Sequence, residues 1–456
     1  MLNPLILTST FALKALRLMK NHPGQIVKLL NDIGLFLPMV DLISKFLKGW
    51  LKKPIKIGII ANKYPTDKIS SSGAFIHTMH LTRNLASLGT EVHVFCAGNK
   101  NKIIKERIGE GKLIIHVLGV DTGFGIKNSL LLDRIALYTF EVRALNAIMY
   151  ENSRRWFDII HSQSITSTGF MLKHFSNMNW VHTFHSLDTK RLKKMEKGKH
   201  KLIPVQGWAD RTVLDADRVI TVSNKFREEV IREIKGTSKN TVVIPNGINL
   251  NLFKPSKRTP LTVLYIGRFS KEKGVCLLPE VIEKVLQKDK RYKFIMVATL
   301  NNKTAALKTT QNELEEIEKK YPGRFTWHKN TLGEEEIVKL HKDSGVYIQP
   351  SMYETFGICV LEAMASGNPV IVTNVGGMPE LVGNAGLIAD KTPKDLSKKI
   401  INLLKNPSLR RKLGKRGITR AQNYCWKLIS ERTLDLYKEI IVENSNKMEK
   451  RNIRKK

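Results

Sequence analysis

Acidic residues are scarce in this chain. Its 456 residues hold 41 Asp and Glu against 76 Lys and Arg, a formal net charge of +35. So basic a surface is drawn to anions: a lipid headgroup, a nucleic acid or a phosphorylated substrate. Cysteine is nearly absent as well. Cys96, Cys276, Cys359 and Cys425 stand far apart, with no C-x-x-C pair among them. That excludes a disulfide scaffold and a cysteine zinc site, and it fits a reducing compartment, so the expected location is the cytoplasm. No uncharged apolar run reaches the roughly 18 residues of a membrane-spanning helix. A secretory signal is equally hard to find, because no Lys or Arg precedes the apolar stretch Pro4–Leu13 and no small-residue cleavage site follows it. The rest of the composition, 42% hydrophobic and 26% charged, excludes wholesale disorder. The length calls for two to three domains.

Residues 1–53 read as a basic amphipathic extension. Leu42, Ile43, Phe46, Leu47, Trp50 and Leu51 recur at helical spacing, and Lys45, Lys48, Lys52 and Lys53 take the other face or the end. This pattern suits a helix lying in an anionic membrane interface, which would make the protein peripheral on the cytoplasmic membrane face. It equally suits a helix packed on the protein's own body. The tail, residues 444–456, is basic, and Lys447–Lys456 is expected to be disordered.

From residue 54 the chain alternates short apolar runs with helical segments. Strands are expected at Ile55–Ala61, Glu91–Cys96, Phe157–His161, Trp180–Phe184, Arg218–Val222 and Thr241–Ile244. Residues 246–260, with Asn246-Gly247 and two further prolines, read as a linker. The alternation restarts over 261–425, and residues 426–443 form a last helix expected to pack back toward the first half. Alternation of this kind predicts an α/β protein with two facing Rossmann-like, doubly wound domains and a cleft at the carboxyl ends of their parallel strands.

The second half carries the chemistry. In Ser351–Glu362, Ser-Met-Tyr-Glu-Thr-Phe-Gly-Ile-Cys-Val-Leu-Glu, an apolar strand is followed by a helix predicted to open at Thr355–Gly357. Free amides and the positive end of the helix dipole there make an anion site, and Gly357 lets the backbone approach a phosphate. Glu354 precedes that helix and Glu362 follows two turns along; a carboxylate facing a nucleotide accepts hydrogen bonds from ribose hydroxyls. Gly267-Arg268-Phe269-Ser270-Lys271-Glu272-Lys273-Gly274 is a second strand-to-helix loop. Arg268 offers a planar fork for phosphate oxygens and Lys273 a point charge.

Taken together these segments resemble the retaining glycosyltransferases of the GT-B fold, in the group 1 or family 4 class. The resemblance rests on the E-x7-E pair Glu354/Glu362, on Gly-Arg-x4-Lys-Gly upstream, on Asn246-Gly247-Ile248 with Phe253-Lys254-Pro255, and on Pro369–Thr373 followed by Gly376-Gly377-Met378-Pro379-Glu380. It covers about residues 54–443.

The resemblance implies a function and a set of roles. The expected activity is transfer of a hexose from a nucleotide-diphosphate sugar (UDP-, ADP- or GDP-linked) to an acceptor hydroxyl, with no metal and no other cofactor. Arg268 and Lys273 would bind the diphosphate, Glu362 the ribose. Glu354 and the amides of Thr355, Phe356 and Gly357 would meet the donor sugar and phosphate. Gly73, in Ser71-Ser72-Gly73-Ala74, would close over the donor from the first domain. His185, in Trp180-Val-His-Thr-Phe-His-Ser186, matches the active-site histidine. Strand alternation sets Val181, Thr183 and His185 on one side and His182 on the other. The acceptor, whether glycan, lipid or free sugar, is not written in these motifs.

Other readings compete with this one. A soluble glucan- or sucrose-type synthase, a sugar epimerase or a phosphorylase would use the same fold. A nucleic-acid-binding protein would use the charge, but the basic residues are spread along the chain with no helix-turn-helix, zinc or RNP-like signature, so no nucleic-acid partner is expected. Gly123-Phe124-Gly125 is only a fragment of a dinucleotide motif, and the basic run Lys190–Lys201 reads as a solvated loop or as a lining of the acceptor entrance.

Overall fold

The computed structural model describes residues 53–65, 73–120, 130–164, 166–187, 209–255, 260–300 and 305–454. The amphipathic segment 41–52, Ser71, Ser72, Gly123-Phe124-Gly125 and the run 190–201 lie outside these. The chain divides into Met1–Ile55 and Lys56–Lys456. Two α/β lobes make up the second unit.

The first lobe comprises β1 (Lys56–Ala61), α1 (Gly73–Ser87), β2 (Glu91–Cys96), β3 (Gly98–Ile108), β4 (Gly111–Val120), α2 (Leu130–Arg154), β5 (Ile159–Gln163), α3 (Ser167–Ser176), β6 (Trp180–Phe184), β7 (Arg218–Thr221), α4 (Asn224–Glu233) and β8 (Thr241–Val243). Its sheet runs β3-β4-β2-β1-β5-β6-β7-β8. The central strands are covered on both faces, and every residue of β1 and β5 is buried. That is why β1 reads as a near-continuous apolar run rather than an alternating one.

The second lobe comprises β9 (Thr262–Ile266), α5 (Leu278–Lys288), β10 (Lys293–Val297), α6 (Ala305–Lys320), β11 (Phe325–His328), α7 (Glu334–Lys342), β12 (Val346–Gln349), α8 (Ile358–Ala365), β13 (Val370–Thr373), α9 (Met378–Val382), β14 (Gly386–Ala389), α10 (Pro393–Lys405), α11 (Pro407–Ala421) and α12 (Trp426–Arg454). Its six strands, all parallel, run β11-β10-β9-β12-β13-β14. Thr392 and Asn406 cap α10 and α11 through their side chains, each with a proline at the first helical turn.

Two expectations are corrected. The first sheet is not wholly parallel, because β3 pairs with β4 antiparallel at the edge. β3 reads GNKNKIIKERI and is mostly solvent-facing, so it shows no apolar run; lysines on an edge strand keep it from pairing with another chain. The tail is not disordered: α12 continues without a break to Arg454.

The linker has its own anchor. Ile248 N–H donates to the Tyr424 carbonyl at 2.8 Å and Trp426 N–H returns to the Ile248 carbonyl at 3.3 Å. A side chain at Gly247 would collide with the Trp426 indole. The crossing into the second lobe and the exit from it are thus joined at one place.

Candidate active site

Each sheet has one point where strand order reverses. The chain leaves β1 for β2 on one side and returns to β5 on the other; it leaves β9 for β10 and returns to β12. Crevices outside the carboxyl ends of strands at such points are where doubly wound sheets bind ligands. The Gly73 segment follows β1, the Arg268/Lys273 loop follows β9, and the Glu354 loop follows β12.

The two loops of the second lobe are bonded to each other. Met352 and Tyr353 N–H groups donate to the Glu272 carbonyl at 2.8 and 3.2 Å. Lys273, ending a short 3-10 turn, places Nζ 2.5 Å from Glu354 Oε2. The other oxygen of Glu354 accepts the Thr355 amide at 3.2 Å. Arg268 is 62% exposed, and its guanidinium meets the Glu272 carboxylate at 3.2 Å. Gly376 has φ of +51°, and a side chain there would run into the Glu354 carbonyl. The glycine-rich loop is therefore the surface against which the Glu354 loop is seated.

The helix start falls one residue later than its predicted range. α8 begins at Ile358, and Gly357 precedes it at φ +104°, a left-handed conformation that favours glycine. Glu362 lies on the buried side of α8. Its Oε2 stands 3.8 Å from the His341 ring, too far for a hydrogen bond.

In the first lobe His185 lies just past β6. Its Nε2 is 2.8 Å from Gln163 Oε1. The Gln163 amide nitrogen lies 3.1 Å from His161 Nε2, which also meets Thr183 Oγ1 at 2.7 Å. His161 Nδ1 in turn lies 2.5 Å from the Tyr437 hydroxyl of α12. His182 faces the other way, bonded to Ser162 Oγ at 2.8 Å with the Trp180 indole donating to the same hydroxyl. Burial holds His185 at about 4 and His161 at about 3, so both rings are neutral at physiological pH. His77 of α1 packs edge-on against His185 and against Trp426, with centroids 4.7 and 5.2 Å apart.

The lobes meet at these residues. Thr355 Oγ1 donates to the His185 carbonyl at 2.8 Å, and Ser223 Oγ donates to the Thr355 carbonyl at 2.7 Å. A Cβ on Gly73 would come within 2.9 Å of Ile358 Cδ1, so the first residue of α1 lies against the first residue of α8. Asn224, opening α4, offers both its backbone and side-chain N–H groups to Glu380, at 2.9 and 2.7 Å. Phe356 is buried beside this seam.

Among the described residues no group of three or more His, Cys, Asp or Glu is placed to hold a metal ion. An Asp-x-Asp sequence does occur, at Asp215-Ala216-Asp217, but it precedes β7 and so lies at the end of the sheet away from the cleft. Asp217 is occupied by Lys173, the Trp180 amide and Asn444, and Asp215 by His174.

A family model for "Glycosyltransferase Family 4" matches residues 71–252, and one for "Glycosyl transferases group 1" matches 250–420, abutting at the linker. The chain belongs to this glycosyltransferase family. An alpha-maltose-1-phosphate synthase from Mycolicibacterium smegmatis is 24% identical over 85% of this chain and all of that protein. Among solved structures, a sucrose-phosphate synthase from Thermosynechococcus elongatus superposes with a TM-score of 0.70, at 24% identity, over 85% of this chain and all of that one. A trehalose-6-phosphate structure from E. coli, bound with UDP-2-fluoro glucose, gives 0.63 at 12% identity over 84% and 99%. The architecture of this glycosyltransferase is GT-B, two α/β lobes with the cleft between them.

Of the residues expected from the sequence, Thr355 and His185 are bonded across the lobes, Gly73 lies against Ile358, and Lys273 pairs with Glu354, while Arg268 meets Glu272 and Glu362 lies near His341. Sequence reasoning missed Gln163, His161, His77, Ser223, Trp426 and Tyr437. A signal for the first two existed: His161-Ser162-Gln163 puts three polar residues at the end of a buried apolar strand, a pattern that requires partners.

Proposed function

We propose that this glycosyltransferase moves a hexose from a nucleotide-diphosphate sugar to an acceptor hydroxyl, with retention at the anomeric carbon and no metal. The observation that carries the reading is the bond from Thr355 Oγ1 to the His185 carbonyl, which brings the E-x7-E loop of one lobe against the histidine of the other. Arg268, Lys273 and the amides opening α8 neutralise the diphosphate, including the charge that grows on it as the sugar–phosphate bond breaks. Glu362 receives the ribose hydroxyls. Glu354, Thr355, Phe356 and Gly357 line the phosphate and sugar, His185 meets the sugar, and Gly73 covers it. The acceptor attacks from the leaving-group face and a phosphate oxygen takes its proton. A double displacement through a carboxylate nucleophile is not part of this reading. UDP, ADP and GDP conjugates are the candidate donors. The UDP-sugar in the E. coli structure and the sugar phosphate in the M. smegmatis relative's name support a nucleotide-sugar donor and a sugar acceptor.

The test is a thermal-shift screen against UDP, ADP, GDP and their sugars, with and without magnesium, followed by turnover assays. One nucleotide should stabilise the chain without metal. Arg268→Ala and Glu362→Ala should each abolish turnover while the fold survives; full activity in both would sink the site assignment. Donor conversion without any acceptor would favour an epimerase, and dependence on free phosphate a phosphorylase.

A peripheral membrane location is the second part of this proposal. One side of α2 leaves Ile135, Tyr138, Val142 and Met149 exposed beside Arg143, and Trp156 and Phe175 are 66% and 81% exposed nearby in sequence. An apolar surface on a chain of net charge +35 fits an anionic bilayer. The acceptor would then be a lipid, a lipid-linked saccharide or an envelope glycan. Co-sedimentation with anionic vesicles should occur and should weaken when residues 1–53 are removed; no sedimentation with the whole chain would return the acceptor to a soluble sugar or glucan.

A further inference from the structure

His185 could meet a ligand in either of two neutral forms, as a hydrogen-bond donor or as an acceptor. Which form it takes is decided by the group on its other nitrogen. That group is Gln163 Oε1, 2.8 Å from Nε2, and a carbonyl oxygen accepts only, so Nε2 carries the proton. The Gln163 amide is held in this orientation by its own nitrogen, which donates to His161 Nε2 at 3.1 Å. The Thr183 hydroxyl, 2.7 Å from the same nitrogen, can donate or accept and so is compatible with this arrangement. The His161 proton must then lie on Nδ1, where the Tyr437 oxygen accepts it at 2.5 Å. Every member of this chain is buried except His185, at its cleft end.

We propose that Tyr437, His161 and Gln163 are positioning residues that hold His185 as its Nε2–H form, leaving Nδ1 as an acceptor for a hydroxyl of the donor sugar. The assignment rests on the reading of His185 as the residue that meets the donor. It gives the last helix of the chain a part in the chemistry. Tyr437 sits on α12, beyond the second lobe, yet the proton arrangement it selects ends on a strand of the first. The arrangement has a physical purpose. A neutral ring with its lone pair outward stabilises a sugar hydroxyl beside an oxocarbenium-like centre, whereas an imidazolium would repel that centre. Turning the Gln163 amide over reverses every proton in the chain and presents Nδ1–H instead, so one buried amide separates two opposite recognition properties.

The test is 15N spectroscopy of the full chain labelled at histidine, where the two ring-nitrogen shifts distinguish the tautomers. His185→Asn and His161→Asn identify the two sets of signals. The expected result is opposite forms, Nε2–H on His185 and Nδ1–H on His161. Tyr437→Phe removes the acceptor for the His161 proton. It should shift both sets of signals and lower kcat about tenfold, with the donor KM within about threefold. If Tyr437→Phe fails to fold, Gln163→Leu cuts the relay inside the first lobe and should do the same. Gln163→Glu, which still accepts from His185, should restore the His185 signals. A His185 ring protonated on Nδ1 in the parent protein overturns the proposal, as do unchanged ring signals and kcat in Tyr437→Phe or Gln163→Leu. The tautomer readout needs no substrate, so it stands apart from the donor reading, which fails instead if His185→Asn keeps full turnover.

Discussion

Lys273 and Glu354 form an ion pair 2.5 Å long between the loops that follow β9 and β12. Both side chains are mostly buried, at 18% and 13% exposure. The carboxylate holds the ammonium and the Thr355 amide at once, two donors that a phosphate would otherwise engage.

Lys273→Ala should therefore lower turnover about 100-fold or more, corresponding to ~2.7 kcal/mol of transition-state stabilisation. Steady-state kinetics with the donor found by thermal shift would show it. Turnover within threefold of the parent removes Lys273 from the leaving-group site.

Glu362 is assigned to the ribose. Glu362→Ala should weaken nucleoside diphosphate binding by roughly 10- to 100-fold, the loss of charge-assisted hydrogen bonds worth about 1.5–3 kcal/mol. Calorimetry with the 2′,3′-dideoxy analogue supplies the control: parent and variant should bind it equally. A variant that weakens both nucleotides to the same degree places Glu362 elsewhere.

Gly376→Ala should be harmful through the backbone alone. Its backbone has φ of +51° and its Cβ would meet the Glu354 carbonyl. Destabilisation of ~2 kcal/mol or more is expected, with Glu354 displaced and activity lost. Unchanged melting and turnover would show that the loop is not seated as described.

Acid should unfold the protein early. His77, His116, His161, His182 and His185 are all held below the usual histidine value by burial, His116 and His185 to about 4 and His161 to about 3. The unfolded chain binds these protons first, so stability is full above pH ~6.5 and falls as pH drops toward 4, by up to ~1.4 kcal/mol per pH unit for each histidine. Thermal melts between pH 7 and 5 would reveal the slope, and a flat profile over that range would contradict it.

The motif loops were legible because a strand, a glycine-bearing turn and a helix start are adjacent in sequence, and charged residues within them stand out against apolar flanks. Gly73, Arg268, Lys273, Glu354 and Glu362 could be picked out this way. The Tyr437–His161 contact could not, since it joins residues 276 positions apart and depends on how α12 returns across the fold. Gln163 fell just beyond the apolar part of β5. The edge strand β3 was hidden for the opposite reason, because its polar residues face water and leave no periodic trace. The extension of α12 to Arg454 was misjudged from charge alone; the segment Glu443–Lys450 is rich in helix-forming Glu, Lys and Met.

The course of α12 bears on any recombination of this enzyme with its relatives. By chain order the helix trails the second lobe, but Trp426 lies against His77 and Gly247, Tyr437 against His161, and Glu443 is 2.6 Å from Arg218. A chimera that exchanged everything after the linker for a foreign second lobe would import an unfamiliar helix into the first lobe. The compatible cassette has two cut points, one in the linker and one before Trp426, with the helix retained by the host.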